Sequence, residues 1–133
     1  MAKKSTYVKR LDTAFSLFIR LRDTMPNGMF NCISCSFTKP FNQADCGHYI
    51  SRLHMSVRYD EDNCHAECQT CNRFTSSHLK GYRRNLINKI GIDRFNQLKS
   101  KSREIKQYSI DEIKELAKHY RSKAKELKNI KGL

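Results

Sequence analysis

The chain has 133 residues, 38% hydrophobic and 29% charged, which is enough for one compact domain with a modest core. Twenty-six Lys and Arg against 13 Asp and Glu give a net charge of +13, which draws the protein to polyanions, nucleic acid ahead of anionic membranes or acidic proteins. No apolar run reaches the ~20 residues of a membrane span and no signal-peptide core follows the lysine-rich start, so no membrane role is expected, the expected compartment is the cytosol, and the six cysteines are expected to stay reduced.

Met1 to Arg10 reads as a basic flexible arm, and residues 11–133 as a single domain. Leu11, Ala14, Phe15, Phe18 and Leu21 recur at three- and four-residue steps, which predicts an amphipathic helix over 11–25 ended by Pro26-Asn27-Gly28. Residues 30–80 form a predicted zinc-bearing core of short strands and loops, with "DCGHYIS" and "DNCHAEC" as paired strands. A short helix is expected from Gln69 towards His78. Helices over 81–133 follow: one carrying Tyr82, Leu86, Ile87 and Ile90 and closed by Gly91, a short piece using Phe95 and Leu98, and a last one opened by Ser109. Glu112, three residues after Ser109, completes a capping box. The last helix carries Ile113, Ala117, Tyr120, Ala124 and Leu127 as a stripe that needs a partner surface, either this domain's core or another chain. The fold class expected is α+β, mostly helical.

Cys32-x-x-Cys35 and Cys68-x-x-Cys71 each set two sulfurs on a tight turn, and four thiolates complete a tetrahedron around a structural zinc. Thirty-two residues separate the two pairs, more than the 15–20 of an ordinary zinc ribbon, so the insert has room for a working unit. It holds Asp45, His48, Asn63 and His65. Strand alternation puts Asn63 and His65 on one face and Cys64 on the other, which argues against a second metal site using both Cys64 and His65. Cys46 and Cys64 are read as small, buried, apolar-like residues.

The order "CISC", "DCGHY", "NCHAEC", "CNRF" has the layout of an HNH, or ββα-metal, nuclease, and nearly the whole chain resembles the phage lambda NinG (Rap) recombination protein family, from the helix around Phe15 through "LINKIGIDRF" to "YSIDEIKELAKHY". That resemblance implies a small ββα-metal core and a structure-specific DNA endonuclease acting on branched recombination intermediates, Holliday junctions and D-loops. It implies Asp45 and Asn72 as ligands of a catalytic Mg²⁺ or Mn²⁺, His48 as general base, and Asn63 as the residue orienting that base. His65, on the face of Asn63, joins the candidate site, and His78, six residues after Asn72, is a further candidate ligand.

Two departures from the pattern of related junction resolvases matter. Cys46 and Gly47 intervene between Asp45 and His48, so parity keeps the two on opposite faces unless Gly47 supplies a bulge that brings Asp45 inward. Asn72 stands where HNH enzymes carry a final His, which suits a hard, oxygen-preferring ion. Phosphate contacts are expected from Arg52, Arg58, Arg73, Lys80, Arg83 and Arg84. The expected partners are branched DNA, a second copy of the chain in a homodimer, and phage recombination proteins in the bacterial host cytoplasm. The alternative function is a non-catalytic zinc-finger module that binds DNA or RNA.

Overall fold

The computed structural model describes residues 2–133. In chain order the elements are helix α1 (Lys4–Asp23), strands β1 (Met29–Asn31) and β2 (Thr38–Pro40), a single 3-10 turn (Phe41–Gln43) and strand β3 (Ala44–His48). Helix α2 (Met55–Arg58), strand β4 (Cys64–Cys68) and helices α3 (Gln69–Phe74), α4 (His78–Ile90), α5 (Ile92–Lys101) and α6 (Ile110–Lys131) follow. The mostly helical α+β class expected from the sequence is what the fold shows.

The basic arm is a correction. Helix α1 starts at Lys4, and Tyr7 and Val8 pack against the main core, so residues 4–10 continue the helix instead of fraying. Tyr7 keeps the four-residue step to Leu11, and the flanking lysines and arginines lie on the outer side of a helix that is already committed.

The main core forms between the first and last helices. Leu11, Phe15 and Phe18 of α1 meet Ile113, Ala117, Tyr120 and Ala124 of α6, with Phe15 edge-on to Tyr120 at 4.8 Å between ring centres. Ser109 caps α6 as expected: its hydroxyl accepts from the Glu112 amide at 3.1 Å, and the Glu112 carboxylate accepts from the Ser109 amide at 3.2 Å. Near the far end of α6, the Lys131 ammonium donates to the carbonyls of Leu21, Arg22 and Thr24, satisfying the end of α1 with a cation. The two apolar stripes therefore cover each other. Neither the Leu11–Leu21 face nor the Ile113–Leu127 face is left over for pairing with a second chain.

Strands β3 and β4 pair antiparallel as expected, Ala44 opposite Cys68 through His48 opposite Cys64. Residues directly opposite share a face. One face carries Ala44, Cys46 and His48 with Cys64, Ala66 and Cys68, and its Cys46 and Cys64 pack into the α1 core. The other face carries Asp45 and Gly47 with His65 and Glu67, and α4 approaches it through Tyr82, whose hydroxyl donates to the Gly47 carbonyl at 2.6 Å. The register is continuous, so Gly47 makes no bulge. The helix expected from Gln69 towards His78 is broken into α3 and the start of α4.

Candidate active site and metal centre

The four cysteines of the two knuckles converge: the sulfurs of Cys32, Cys35, Cys68 and Cys71 all lie within 4.8 Å of one another. The turns are braced in the manner of a thiolate site, with the amides of Cys68 and Cys35 pointing at the Cys32 sulfur at 3.2 and 3.5 Å. Three of the four cysteines are buried, and the cluster packs with Phe30, Ala44 and Ala66. Four thiol donors converging on one point suit a closed, tetrahedral metal ion, and zinc fits that donor set.

Beside the knuckle a cleft of about 570 Å³ opens between α1, the β3 end and the α3–α4 turn. Asp45, His48, Asn72 and Arg52 all line it, together with His78. Asp45 and His48 leave β3 on opposite faces, as parity requires, yet both reach this cleft at the strand's edge. Asp45 and Asn72 touch, the Asn72 amide donating to Asp45 Oδ2 at 2.9 Å. Arg73 grips the same carboxylate with two bonds of 2.9 Å. Partial burial works against ionisation of Asp45, but the hydrogen bonds from Arg73 and Asn72 outweigh it and hold the carboxyl below its ordinary value.

Hydrogen bonding fixes the tautomer of His48. Its Nε2 sits 3.0 Å from the Arg58 carbonyl, an acceptor only, so Nε2 carries the proton and neutral His48 presents Nδ1 as its basic nitrogen. Burial lowers its pKa, the Arg58 carbonyl raises it in part, and the charges of Arg52 and Arg58 lower it further.

Asn63 does not orient His48. It is fully buried, its Oδ1 accepts from the Ile50 amide at 2.8 Å, and its Nδ2 donates to the carbonyls of Ile50 and Val57 at 2.9 and 3.1 Å. It braces the loop that carries Arg58, and the Arg58 carbonyl does the orienting. A side chain spanning thirteen residues of backbone leaves no trace in spacing.

His65 is also displaced from its expected role. It is 2% exposed and does not line the cleft. Its Nε2 donates to the Asp62 carbonyl at 2.9 Å, and its Nδ1 accepts from Lys89 at 2.9 Å and Arg22 at 3.1 Å. Burial, then the nearby Lys89 and Arg22, push its pKa down to about 4.

The basic residues divide. Arg58 is tied to Asp12 by bonds of 3.0 and 2.6 Å, and Arg73 to Asp45, so both expected phosphate contacts are committed to carboxylates. Lys80, Arg83 and Arg84 are exposed on α4 and make no salt bridge among the described residues. Cys64 is fully buried as expected, whereas Cys46 is only partly buried against the α1 core, and with His48 they form a second group whose donor atoms lie within 4.8 Å of one another. Sequence reasoning missed Asp12, which anchors Arg58 and Tyr59, and Glu67, a wholly buried acid. Glu67 carried one signal: it is the only acid within the otherwise apolar-like strand Cys64–Cys68.

Among the described residues no helix is long and apolar enough to cross a membrane. No solved structure matches this chain. The family model described as "Bacteriophage Lambda NinG protein" matches residues 1–130. The chain is 34% identical over 128 residues to Protein ninG of Escherichia phage 933W, of Escherichia phage lambda and of Salmonella phage P22. The matches cover 95% of this chain but 59–60% of those relatives, so the chain spans about three-fifths of their length. With a family-model match over residues 1–130 and relatives 34% identical over 95% of its length, this chain belongs to the bacteriophage Lambda NinG protein family.

Proposed function

We propose that this protein is a Mg²⁺- or Mn²⁺-dependent endonuclease that hydrolyses phosphodiesters in branched DNA, Holliday junctions and D-loops among them, in the cytoplasm of a bacterial host. The observation that carries the reading is the meeting of His48, Asp45 and Asn72 in one cleft beside the cysteine cluster. A binding module has no use for a polarised histidine next to a carboxylate–amide pair.

The chemistry follows from the residues. Neutral His48, with Nε2–H fixed on the Arg58 carbonyl, accepts a proton at Nδ1 from a water in the cleft. The hydroxide so formed attacks phosphorus, the P–O3′ bond breaks, and the leaving 3′ oxygen is protonated by solvent. Asp45 Oδ and the Asn72 carbonyl oxygen offer hard donors to a divalent cation. When bound, that cation supplies Lewis-acid stabilisation of the charge on the phosphate and leaving oxygen. Arg73 neutralises Asp45 until such a cation enters, and Arg52 at the rim meets the incoming phosphate. Zinc held by Cys32, Cys35, Cys68 and Cys71 is scaffold, because four thiolates leave it no open position.

Lys80, Arg83 and Arg84 extend the positive surface along α4 and hold a DNA arm through its phosphates. A homodimer on a four-way junction places one cleft at each of two opposed strands. Incubation with a labelled four-way junction in Mg²⁺, in Mn²⁺ and in EDTA tests the reading. Metal-dependent nicks near the branch point are expected. Tight binding without cleavage under every metal condition would favour the alternative, a zinc-bearing DNA- or RNA-binding module, for which the Arg73 grip on Asp45 is the supporting observation.

A further inference from the structure

Glu67 is a buried acid at the end of β4, fully inaccessible to solvent. Its Oε2 receives the Ser34 hydroxyl and sits 2.5 Å from His78 Nδ1, while Oε1, equally buried, has no partner. Two glycines build this arrangement. A Cβ on Gly47 would overlap Glu67 Oε1 and stand 2.9 Å from Glu67 Cβ, so the missing side chain before His48 is the space the Glu67 side chain occupies. A Cβ on Gly81 would overlap the Ser34 carbonyl oxygen, so α4 can descend onto the first knuckle and bring its first residue, His78, down to Glu67.

A carboxylate only accepts, so His78 donates from Nδ1, and the neutral ring keeps its lone pair on Nε2. The ring is partly exposed and lines the same cleft as Asp45, His48 and Asn72. A histidine whose far nitrogen is fixed by a buried carboxylate is the arrangement that holds metal-ligating histidines in place and raises their basicity. Resting on the nuclease reading above, we infer that His78 is a further ligand of the divalent cation in this cleft, that Glu67 is its positioning residue, and that the added nitrogen donor makes the site prefer Mn²⁺ over Mg²⁺. Imidazole ranks with the borderline metals, whereas Mg²⁺ takes oxygen almost exclusively.

The test uses the zinc-loaded full chain without DNA. Mn²⁺ affinity is read by electron paramagnetic resonance, with Mg²⁺ as competitor, and zinc content and thermal unfolding confirm that each variant is folded. His78→Ala is expected to weaken Mn²⁺ binding about 10–100-fold and to bring the Mn²⁺/Mg²⁺ preference down with it. Glu67→Gln keeps an acceptor for His78 Nδ1 and is expected to retain most of the affinity that Glu67→Ala loses. Should either variant fail to fold, nitrogen resonances of His78 in the unsubstituted protein decide: broadening of Nε2 ahead of Nδ1 on Mn²⁺ addition supports the ligand role. Unchanged Mn²⁺ affinity in folded His78→Ala, or a His78 ring untouched by bound Mn²⁺, overturns this inference while leaving the nuclease reading intact. No Mn²⁺ or Mg²⁺ binding by the unsubstituted protein overturns both.

Discussion

Gly81 of α4 and Ser34 of the first knuckle pack backbone to backbone, with the Ser34 carbonyl carbon 3.2 Å from where a Gly81 Cβ would stand and its oxygen closer still. Any side chain at 81 must lift α4 from the cysteine cluster. Gly81→Ala is therefore expected to destabilise the fold by about 1–3 kcal/mol, although alanine is the better helix former. Equilibrium urea unfolding measures it, and a stability equal to or above that of the parent would contradict the close approach.

The cysteine cluster should hold one zinc per chain. Cys68→Ser with Cys71→Ser is expected to lose both the metal and the cooperative unfolding transition, because ligand binding is folding free energy in such a site. Cys46→Ala and Cys64→Val should each keep one zinc and the fold. Metal analysis giving two equivalents in the parent and one in Cys64→Val would instead assign a second ion to the Cys46, His48 and Cys64 group.

His48→Ala should lower junction cleavage by at least a hundredfold with little change in junction affinity, since the base makes no phosphate contact. The pH dependence has a definite sign. The base must be neutral, and burial lowers its pKa below the ordinary 6.5, so cleavage should hold through neutral pH and fall only as pH drops below that value. A pH–rate profile of kcat/KM with an acid limb centred above 6.5 would argue against His48.

His65 predicts how stability responds to acid. Its folded pKa of about 4 lies below the unfolded 6.5, so the folded state binds fewer protons than the unfolded chain in that interval. Its contribution is complete above about 6.5 and is lost as pH falls towards 4, by about 3 kcal/mol on the size of the shift. Asp23, held at about 2, loses its contribution only at lower pH. Unfolding midpoints measured from pH 7 to 4 should decline and should flatten in His65→Gln. A flat profile in the parent would refute the buried neutral histidine.

Arg58 and Arg84 should behave differently although both were candidate phosphate contacts. Arg58→Ala breaks the bond pair to Asp12 and should lower stability, whereas Arg84→Ala should leave stability unchanged and reduce the salt dependence of DNA binding by about one unit of slope. Binding isotherms over a salt series separate the two, and equal slopes for the parent and Arg84→Ala would remove Arg84 from the interface.

How much of this was legible in the sequence depended on the range of the interaction. Ser109 with Glu112, and each Cys-x-x-Cys pair, act within four residues, and each is found as read. Strand parity placed Asp45 and His48 on opposite faces but could not tell that the strand's edge would bring both into one cleft. Asn63 was misassigned because its bonds to Ile50 and Val57 depend on how a loop folds back, which no residue type announces. Glu67 stayed hidden because its burial is made possible by an absence, the missing side chain of Gly47. The charged residues around Tyr7 masked a helical step that was already present.

The pairing of α1 with α6 sets the order in which the molecule can assemble. Phe15 and Tyr120 lie more than a hundred residues apart, so the largest core closes a loop that takes in most of the chain. Contacts of that separation slow folding, and during synthesis the apolar face of α1 must wait until α6 has left the ribosome. The cysteine knuckles close a much shorter loop. Metal capture should therefore come first and hold the β3–β4 hairpin and α4 together while the two terminal helices find each other. Refolding started with zinc present should be faster than refolding to which zinc is added late, and α1 amides should be the last to gain protection from hydrogen exchange.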